Sequence, residues 1–275
     1  MSIITLTTDF GIKDYFVGAL KGRIISEYPE ATIIDISHTV EPFNSTEAAY
    51  IILASYANFP EKSIHIIGVE SELTENTKAI AMLWNNHFFI CADNGILSIL
   101  IREMMPDKLI EIDIKDLYEK NTSFHVFALA ASKLAKNENL NKIGVEISTI
   151  KTINQLNSSI SSDKNSLKGF VIYIDNYGNC ITNITEKMFL ETANNRPFEI
   201  RFGNQIIKRI HVNYSDFKVD SKFVLRDFEG EKLALFNNAG FLEIAIYKSN
   251  SKTVGSAESL LGLKKQDIVT VTFLG

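Results

Sequence analysis

Apolar runs bounded by polar turns lay out the first half of the chain. Strand-like runs fall at 2–7, 32–37, 63–69, 79–84, 87–92 and 108–113. The run from Ser63 to Val69 is too continuously apolar for one face to meet water, which predicts a covered, parallel strand. Between these runs the spacing turns helical. Phe16, Val17, Leu20 and Ile24 form one stripe ahead of Pro29. Asn44, with Glu47 three residues on, predicts an N-cap, after which Ala48, Ile51, Ile52 and Tyr56 share a face before Pro60. A third helix is predicted from about Ser123 to Ala135, and Asn85-Asn86 reads as a hairpin turn. The alternation predicts an α/β N-terminal domain over residues 1–150, with a central, largely parallel sheet flanked by helices.

The second half carries a different rhythm. Residues 151–167 include Asn157-Ser158-Ser159-Ile160-Ser161-Ser162-Asp163, too polar to supply a core, and read as a linker. Short strand candidates follow at 169–175, 180–184, 197–202, 206–212, 232–236, 241–247 and 267–273. Turns are expected at Asn204-Gln205 and Asn238-Ala239-Gly240, and a short helix at Ala257 to Leu261. Many short strands between turns predict a C-terminal all-β, barrel-like domain over residues 168–275.

Composition narrows the function classes. The chain has 275 residues, 45% hydrophobic and 22% charged, with 28 Lys plus Arg against 33 Asp plus Glu and a net charge of −5. That balance lacks the basic footprint of a nucleic-acid binder. No apolar run reaches the roughly 18 residues of a membrane span, and no basic leader precedes the first strand. Cys91 and Cys180 each sit in strand-like apolar surroundings, read as buried reduced thiols, and the chain is expected in the cytoplasm.

The chemistry concentrates at strand ends. GxGxxG, P-loop, HExxH, paired CxxC and GxSxG patterns are all missing from the sequence, so no metal site is expected. Two polar segments stand out: Thr7-Thr8-Asp9-Phe10-Gly11-Ile12-Lys13-Asp14-Tyr15 after the first strand, and Asp175-Asn176-Tyr177-Gly178-Asn179 with Thr182-Asn183 after the run Phe170 to Ile174. Small polar ligands bind at such strand ends in open α/β sheets, and a carboxylate there can accept hydrogen bonds from vicinal hydroxyls. The plainer alternative has Asp9 opening a turn and Asp14 capping the next helix. Tyr177 offers either a stacking surface for a nucleobase or ordinary packing. Asp93-Asn94-Gly95 reads primarily as a turn and helix start, with a site role as the alternative. His125 stands at a helix start, while His38 and His65 have no evident partner in the sequence.

Taken together and in order, these segments resemble the S-adenosylmethionine hydroxide adenosyltransferase family, to which fluorinases and chlorinases are related. The resemblance runs through Thr7 to Gly11, Lys13-Asp14, Lys21-Gly22, Ile36-Ser37-His38, Pro42-Phe43-Asn44, Glu47 to Tyr50 and Phe59-Pro60. It continues through Cys91 to Ser98, Asp175 to Asn183, Asn237 to Ala245 and Ser256 to Leu261, nearly the whole chain. It implies S-adenosylmethionine or adenosine as the ligand, no cofactor, and a homotrimer with sites between one subunit's N-domain and a neighbour's C-domain. By position, Asp9 would hold the ribose hydroxyls, Asp14 would support that end, and Phe43 would line the pocket. Tyr177 would stack on adenine, Asn179 would bond its edge, and Asp175 with Asn238 would receive the methionine amino group.

The sequence departs from the family pattern where water is handled. Glu70 takes the position of the family's Asp and Thr77 that of its Arg, with Lys78 one residue beyond, while His125 follows a Phe as the family's His does. The resemblance implies an S-adenosylmethionine hydrolase with Glu70 and His125 as its catalytic pair, of reduced activity. The alternative is an adenosine- or S-adenosylmethionine-binding protein without catalysis. Halide use is disfavoured, because the Glu70 charge repels an anion.

Overall fold

The computed structural model describes residues 2–101, 104–113, 122–219 and 222–274. The chain divides into two compact units, Met1–Asn154 and Gln155–Gly275. In chain order the first contains β1 (Ile3–Thr8), α1 (Phe16–Glu27), β2 (Thr32–Ser37), α2 (Ser45–Ser55), β3 (Ile64–Gly68) and β4 (Ala79–Trp84). Next come β5 (His87–Ala92), α3 (Ile96–Ile101), β6 (Lys108–Ile112), α4 (Ser123–Ala135) and β7 (Gly144–Glu146). The seven strands form one sheet in the order β2-β1-β3-β5-β4-β6-β7. It is mixed: β2, β1, β3 and β5 are parallel neighbours, and β5-β4-β6-β7 are antiparallel.

Both faces of this sheet are covered. Leu20 and Ile24 of α1 and Val126, Phe127, Ala130 and Leu134 of α4 join Ile4, Leu6, Ile64 and Ile66 in one core. On the other face Ala48, Ala49 and Ile52 of α2 and Ile96, Leu97 and Leu100 of α3 pack on Ile67, Ile80, Met82 and Phe89. Every residue of β3 is buried, as its unbroken apolar run requires. The local signals also hold. Asn44 Oδ1 accepts from the Glu47 N–H at 3.0 Å, and Asn85 and Asn86 both take positive φ in the β4–β5 hairpin.

Because α1 lies on one face and α2 on the other, the chain leaves β1 in opposite directions, to β2 on one side and, from there, to β3 on the other. The carboxyl end of β1 is therefore the topological switch point, where a crevice opens between diverging loops. Asp9 immediately follows β1.

At the middle of the sheet His65 and His87 are buried partners of each other. Thr5 Oγ1 lies 2.7 Å from His65 Nδ1, and His65 Nε2 lies 3.1 Å from His87 Nδ1. The Tyr56 ring meets both edge-on, and Phe89 stacks on His65. Burial, reinforced by His87, lowers the His65 pKa to about 3, and burial lowers that of His87 as well. Both rings thus stay neutral in the fold while the unfolded chain takes up protons below its ordinary histidine pKa. Stability is complete above about pH 6.5 and falls toward pH 3, at about 1.4 kcal/mol per pH unit for His65 alone. Urea melts at pH 7 and pH 5 should differ by about 2 kcal/mol from this group, and a His65→Gln variant should show a smaller difference. An equal difference in both proteins would remove the assignment.

The second unit contains β8 (Ser159–Ile160), β9 (Ser166–Ile174), β10 (Cys180–Thr185), α5 (Glu186–Ala193), β11 (Phe198–Phe202), β12 (Gln205–Ile207) and β13 (Ile210–His211). It ends with β14 (Lys232–Phe236), β15 (Phe241–Ile246), α6 (Ala257–Leu261) and β16 (Ile268–Phe273). Its sheet runs β12-β11-β16-β9-β10-β15-β14-β13, with β8 added on β9. The sheet curls around Leu167, Val171, Ile200, Phe202, Leu242, Ile244 and Val269. Near its two ends Lys232 Nζ of β14 donates to Gln205 Oε1 of β12 at 2.6 Å, giving the barrel-like shape. Ser159 and Ile160, within the polar stretch read as linker, pair with Lys168 and Leu167. Cys91 and Cys180 are buried free thiols; burial, then the nearby Glu258 charge, pushes Cys180 up to about 12.

Candidate functional site

The loops after β1, β2 and β3 converge on the Asp9 carboxylate. Asp9 Oδ2 accepts from the Phe43 N–H at 3.1 Å and from the Glu70 N–H at 3.2 Å. Phe43 (φ +64) and Glu70 (φ +44) both sit in the left-handed region, which is disfavoured for residues with a Cβ. One carboxylate oxygen therefore holds two strained turns at once. Asp9 Oδ1 has no partner among the described residues, so its lone pairs remain to meet a ligand. Phe43 and Glu70 carry no local sign of such a conformation; the carboxylate imposes it from a different strand.

Neighbouring bonds stiffen the frame. Gly11, at φ +71, donates its N–H to the His38 carbonyl at 2.7 Å. Thr8 Oγ1 lies 2.8 Å from His38 Nδ1, and His38 Nε2 lies 3.1 Å from Asp35 Oδ1 without hydrogen-bond alignment. Asp35 also takes Lys21 Nζ at 2.6 Å. His38, isolated in the sequence, is thus a brace between the ends of β1 and β2. Gly68 closes β3 where a Cβ would stand 2.9 Å from Phe10 Cζ.

Beside Asp9 opens a cleft of about 900 Å³, lined by residues of α1, the loop after β3 and the start of α4. Phe10, Phe16 and Phe124 form its aromatic wall, with Phe10 and Phe124 ring centroids 4.7 Å apart. Its polar lining includes Asp9, Glu72, Ser71, Thr122, Ser123 and His125. His125 Nδ1 lies 3.3 Å from Thr122 Oγ1, leaving Nε2 without a described partner. Ser71 and Ser123 meet at 3.3 Å through their hydroxyls.

Of the residues singled out in this unit, Asp9, Phe43 and His125 line the cleft. Glu70 touches Asp9 through its backbone, and its exposed side chain has no described partner. Asp14 is exposed and stands outside the cleft lining. It does not cap α1 either, whose N-cap is Tyr15 with no side-chain bond. Thr77 closes a small bridge with Thr74, and the Lys78 carbonyl accepts from the Asp93 N–H at 2.7 Å; neither residue is in the cleft lining. Sequence reasoning passed over Glu72 and Arg23. Arg23 sits on one stripe of α1 with Phe16 and Ala19, a spacing that was available in the sequence. Its Nη2 pairs with Glu27 at 2.8 Å, while its Nε is buried without a partner.

In the second unit Asp175 organises its own turn. Its Oδ1 accepts from the N–H groups of Tyr177 and Asn179, both at 2.9 Å, and its Oδ2 accepts from Asn179 Nδ2 at 3.0 Å. Asn179 is consequently buried and fixed, while Tyr177 is left 64% exposed, a free ring on a rigid base. Asn238 belongs to the β14–β15 turn, which the β10–β15 ladder joins to the Asp175 turn with a register shift between Ile181 and Thr185. Between the two turns lies buried Glu243, bonded by the Tyr214 hydroxyl and, at 3.3 Å, by Asn237 Nδ2. Burial raises its pKa, and the Asp175 carboxylate adds to that rise. Among the described residues no group of three His, Cys, Asp or Glu is placed to hold a metal ion.

Comparison with known proteins places this geometry in a family. Residues 4–144 match the SAM hydroxide adenosyltransferase N-terminal domain, and residues 169–270 match its C-terminal domain. The chain is 30% identical to an (R)-S-adenosyl-L-methionine hydrolase of Methanocaldococcus jannaschii, over 99% of this chain and 97% of that protein. It is 25% identical to a fluorinase of Nocardia brasiliensis, over 66% and 71% of the two chains. The crystal structure of an uncharacterized conserved protein from Thermotoga maritima superposes with a TM-score of 0.80 at 28% identity, covering 98% of this chain and 99% of that one.

Proposed function

The chain belongs to the SAM hydroxide adenosyltransferase family, and on that footing we propose that it hydrolyses S-adenosyl-L-methionine to adenosine and L-methionine. The observation that carries this reading is the half-free Asp9 carboxylate at the switch point, with the His125 ring on the same cleft. The two lone pairs of Asp9 Oδ1 match the two hydroxyls of a ribose.

The reaction asks little of the protein. A sulfonium is an activated leaving group, so no cofactor is required. The water oxygen bonds to the ribose 5′-carbon, the carbon–sulfur bond breaks with its electron pair moving to sulfur, and methionine leaves as a neutral thioether. Glu70 accepts the water proton, and His125 Nε2 holds the water in line, within about 3–3.5 Å of the carbon.

The ligand's other end is bound by the second unit of a neighbouring subunit in a homotrimer. Tyr177 stacks on adenine, Asn179 bonds its edge, and Asp175 and Asn238 face the amino acid. In support, Ile12, Tyr15 and Phe43 stand 81%, 74% and 72% exposed on the loops beside the cleft, an uncovered apolar border. Asp14 lies on the same loop as Ile12 and Tyr15 and supports the ribose end once that border is covered. Two buried free cysteines are in keeping with a cytoplasmic setting. No helix among the described residues is long and apolar enough to cross a membrane.

A second reading, nucleoside binding without turnover, is favoured by Thr77, which stands at the family's Arg position and is folded into the Thr74 bridge. Chromatography of purified protein incubated with S-adenosylmethionine decides between them. Adenosine accumulation that drops roughly tenfold or more in Glu70→Gln establishes the hydrolase. Tight adenosine binding by calorimetry with no product between about pH 6 and 9 establishes the binding protein.

A further inference from the structure

We propose that Asn94 is a positioning residue for Glu70, an inference that rests on the reading of Glu70 as the carboxylate facing the attacking water. Asn94 follows β5, is 5% exposed, and uses its whole amide. Its Oδ1 accepts from the Ile96 N–H at 3.0 Å, a bond that any helix start can make. Its Nδ2 does more, donating to the carbonyls of Val69 at 2.9 Å and Glu70 at 3.1 Å, just past the end of the neighbouring strand β3.

Glu70 is thereby gripped at both ends of its backbone, at the N–H by Asp9 and at the carbonyl by Asn94. A glutamate at φ +44 returns to extended or right-handed backbone unless something holds it. Its side chain has no described partner, so the backbone alone aims the carboxylate. The next residue fixes the turn from its other side: Gly95 lies at φ +102 with Ile153 packed where a Cβ would be, so the Asn94 turn is seated against the Ile153 segment. Loss of the Asn94 grip leaves the ribose end intact, because Asp9 still holds Phe43, and lets the carboxylate drift. A drift of about 1 Å costs on the order of 100-fold in rate.

Steady-state turnover of S-adenosylmethionine by Asn94→Asp tests this, since that variant keeps the volume and the Oδ1 acceptor and replaces the donor by a carboxylate oxygen that both carbonyls repel. The expected result is a kcat lowered roughly tenfold or more with KM changed by less than about threefold. Glu70→Gln, which lowers kcat strongly in the wild-type background, should lower it by less than about threefold in Asn94→Asp, because both changes disable one group. Multiplying losses, or kcat and KM moving together, would overturn the inference. If the wild-type protein releases no adenosine, the hydrolase reading fails, and the crystal structure of Asn94→Asp then decides the positioning role alone. Glu70 outside the left-handed region supports it, and Glu70 unmoved refutes it.

Discussion

Replacing Asp9 with Ala should abolish nucleoside binding within the measurable range, a loss of about 100-fold or more, and lower stability by about 1–3 kcal/mol. The two effects have separate origins on one side chain. Oδ2 anchors the N–H groups of Phe43 and Glu70, and Oδ1 is free for the ligand. Asp9→Asn separates them. An amide keeps one acceptor oxygen for the two N–H groups but presents an NH2 in place of Oδ1, which cannot accept from hydroxyls. That variant should melt close to wild type while binding adenosine as poorly as Asp9→Ala. Calorimetry with adenosine beside urea melts reads both quantities. Full adenosine affinity in Asp9→Asn would show that the ribose does not rest on this residue.

The second large effect is expected at Gly178. Its φ of +78 is left-handed, and a Cβ there would overlap Ser256 Oγ and Cβ. Ser256 is fully buried and caps α6, so it has nowhere to move. Gly178→Ala should therefore destabilise the protein by about 2–4 kcal/mol, from the backbone penalty and the forced overlap together. Because Gly178 lies between Tyr177 and Asn179, adenosine affinity should fall with it. Ser256→Gly alone should be mild, since glycine is a tolerable N-cap, and combined with Gly178→Ala it should recover part of the stability. Failure of that rescue would place the strain elsewhere.

What the sequence discloses depends on how local the cause is. Most strand runs, the Asn44 cap and the Asn85-Asn86 turn are governed by residues within a few positions and lie where their pattern puts them. The run 206–212 instead breaks into β12 and β13 at opposite ends of the second sheet. The helix α5 escaped notice although Thr185 caps it by accepting from Met188 N–H and left-handed Asn194 ends it. Its eight residues, set among strands, are too short for a clear period. Asp9 was legible as a strand-end carboxylate, but the left-handed backbones of Phe43 and Glu70 were not, because their cause is a contact between distant loops. Glu72 was hidden for the same reason, and for Arg23 the spacing gives the helix stripe but not the cleft, which the meeting of α1, α4 and the loop after β3 creates.

The mixed character of the first sheet orders its assembly. β4 and β5 are joined by a two-residue turn, so that half can zip from a local start. On the other side Ile3 must find Thr32 across α1, and Ile4 must find Ile64 across α1, β2 and α2. Loop-closure entropy makes such pairings slow, which leaves the Asp9 crevice among the late-forming parts of the molecule and among the first to open when the native state fluctuates.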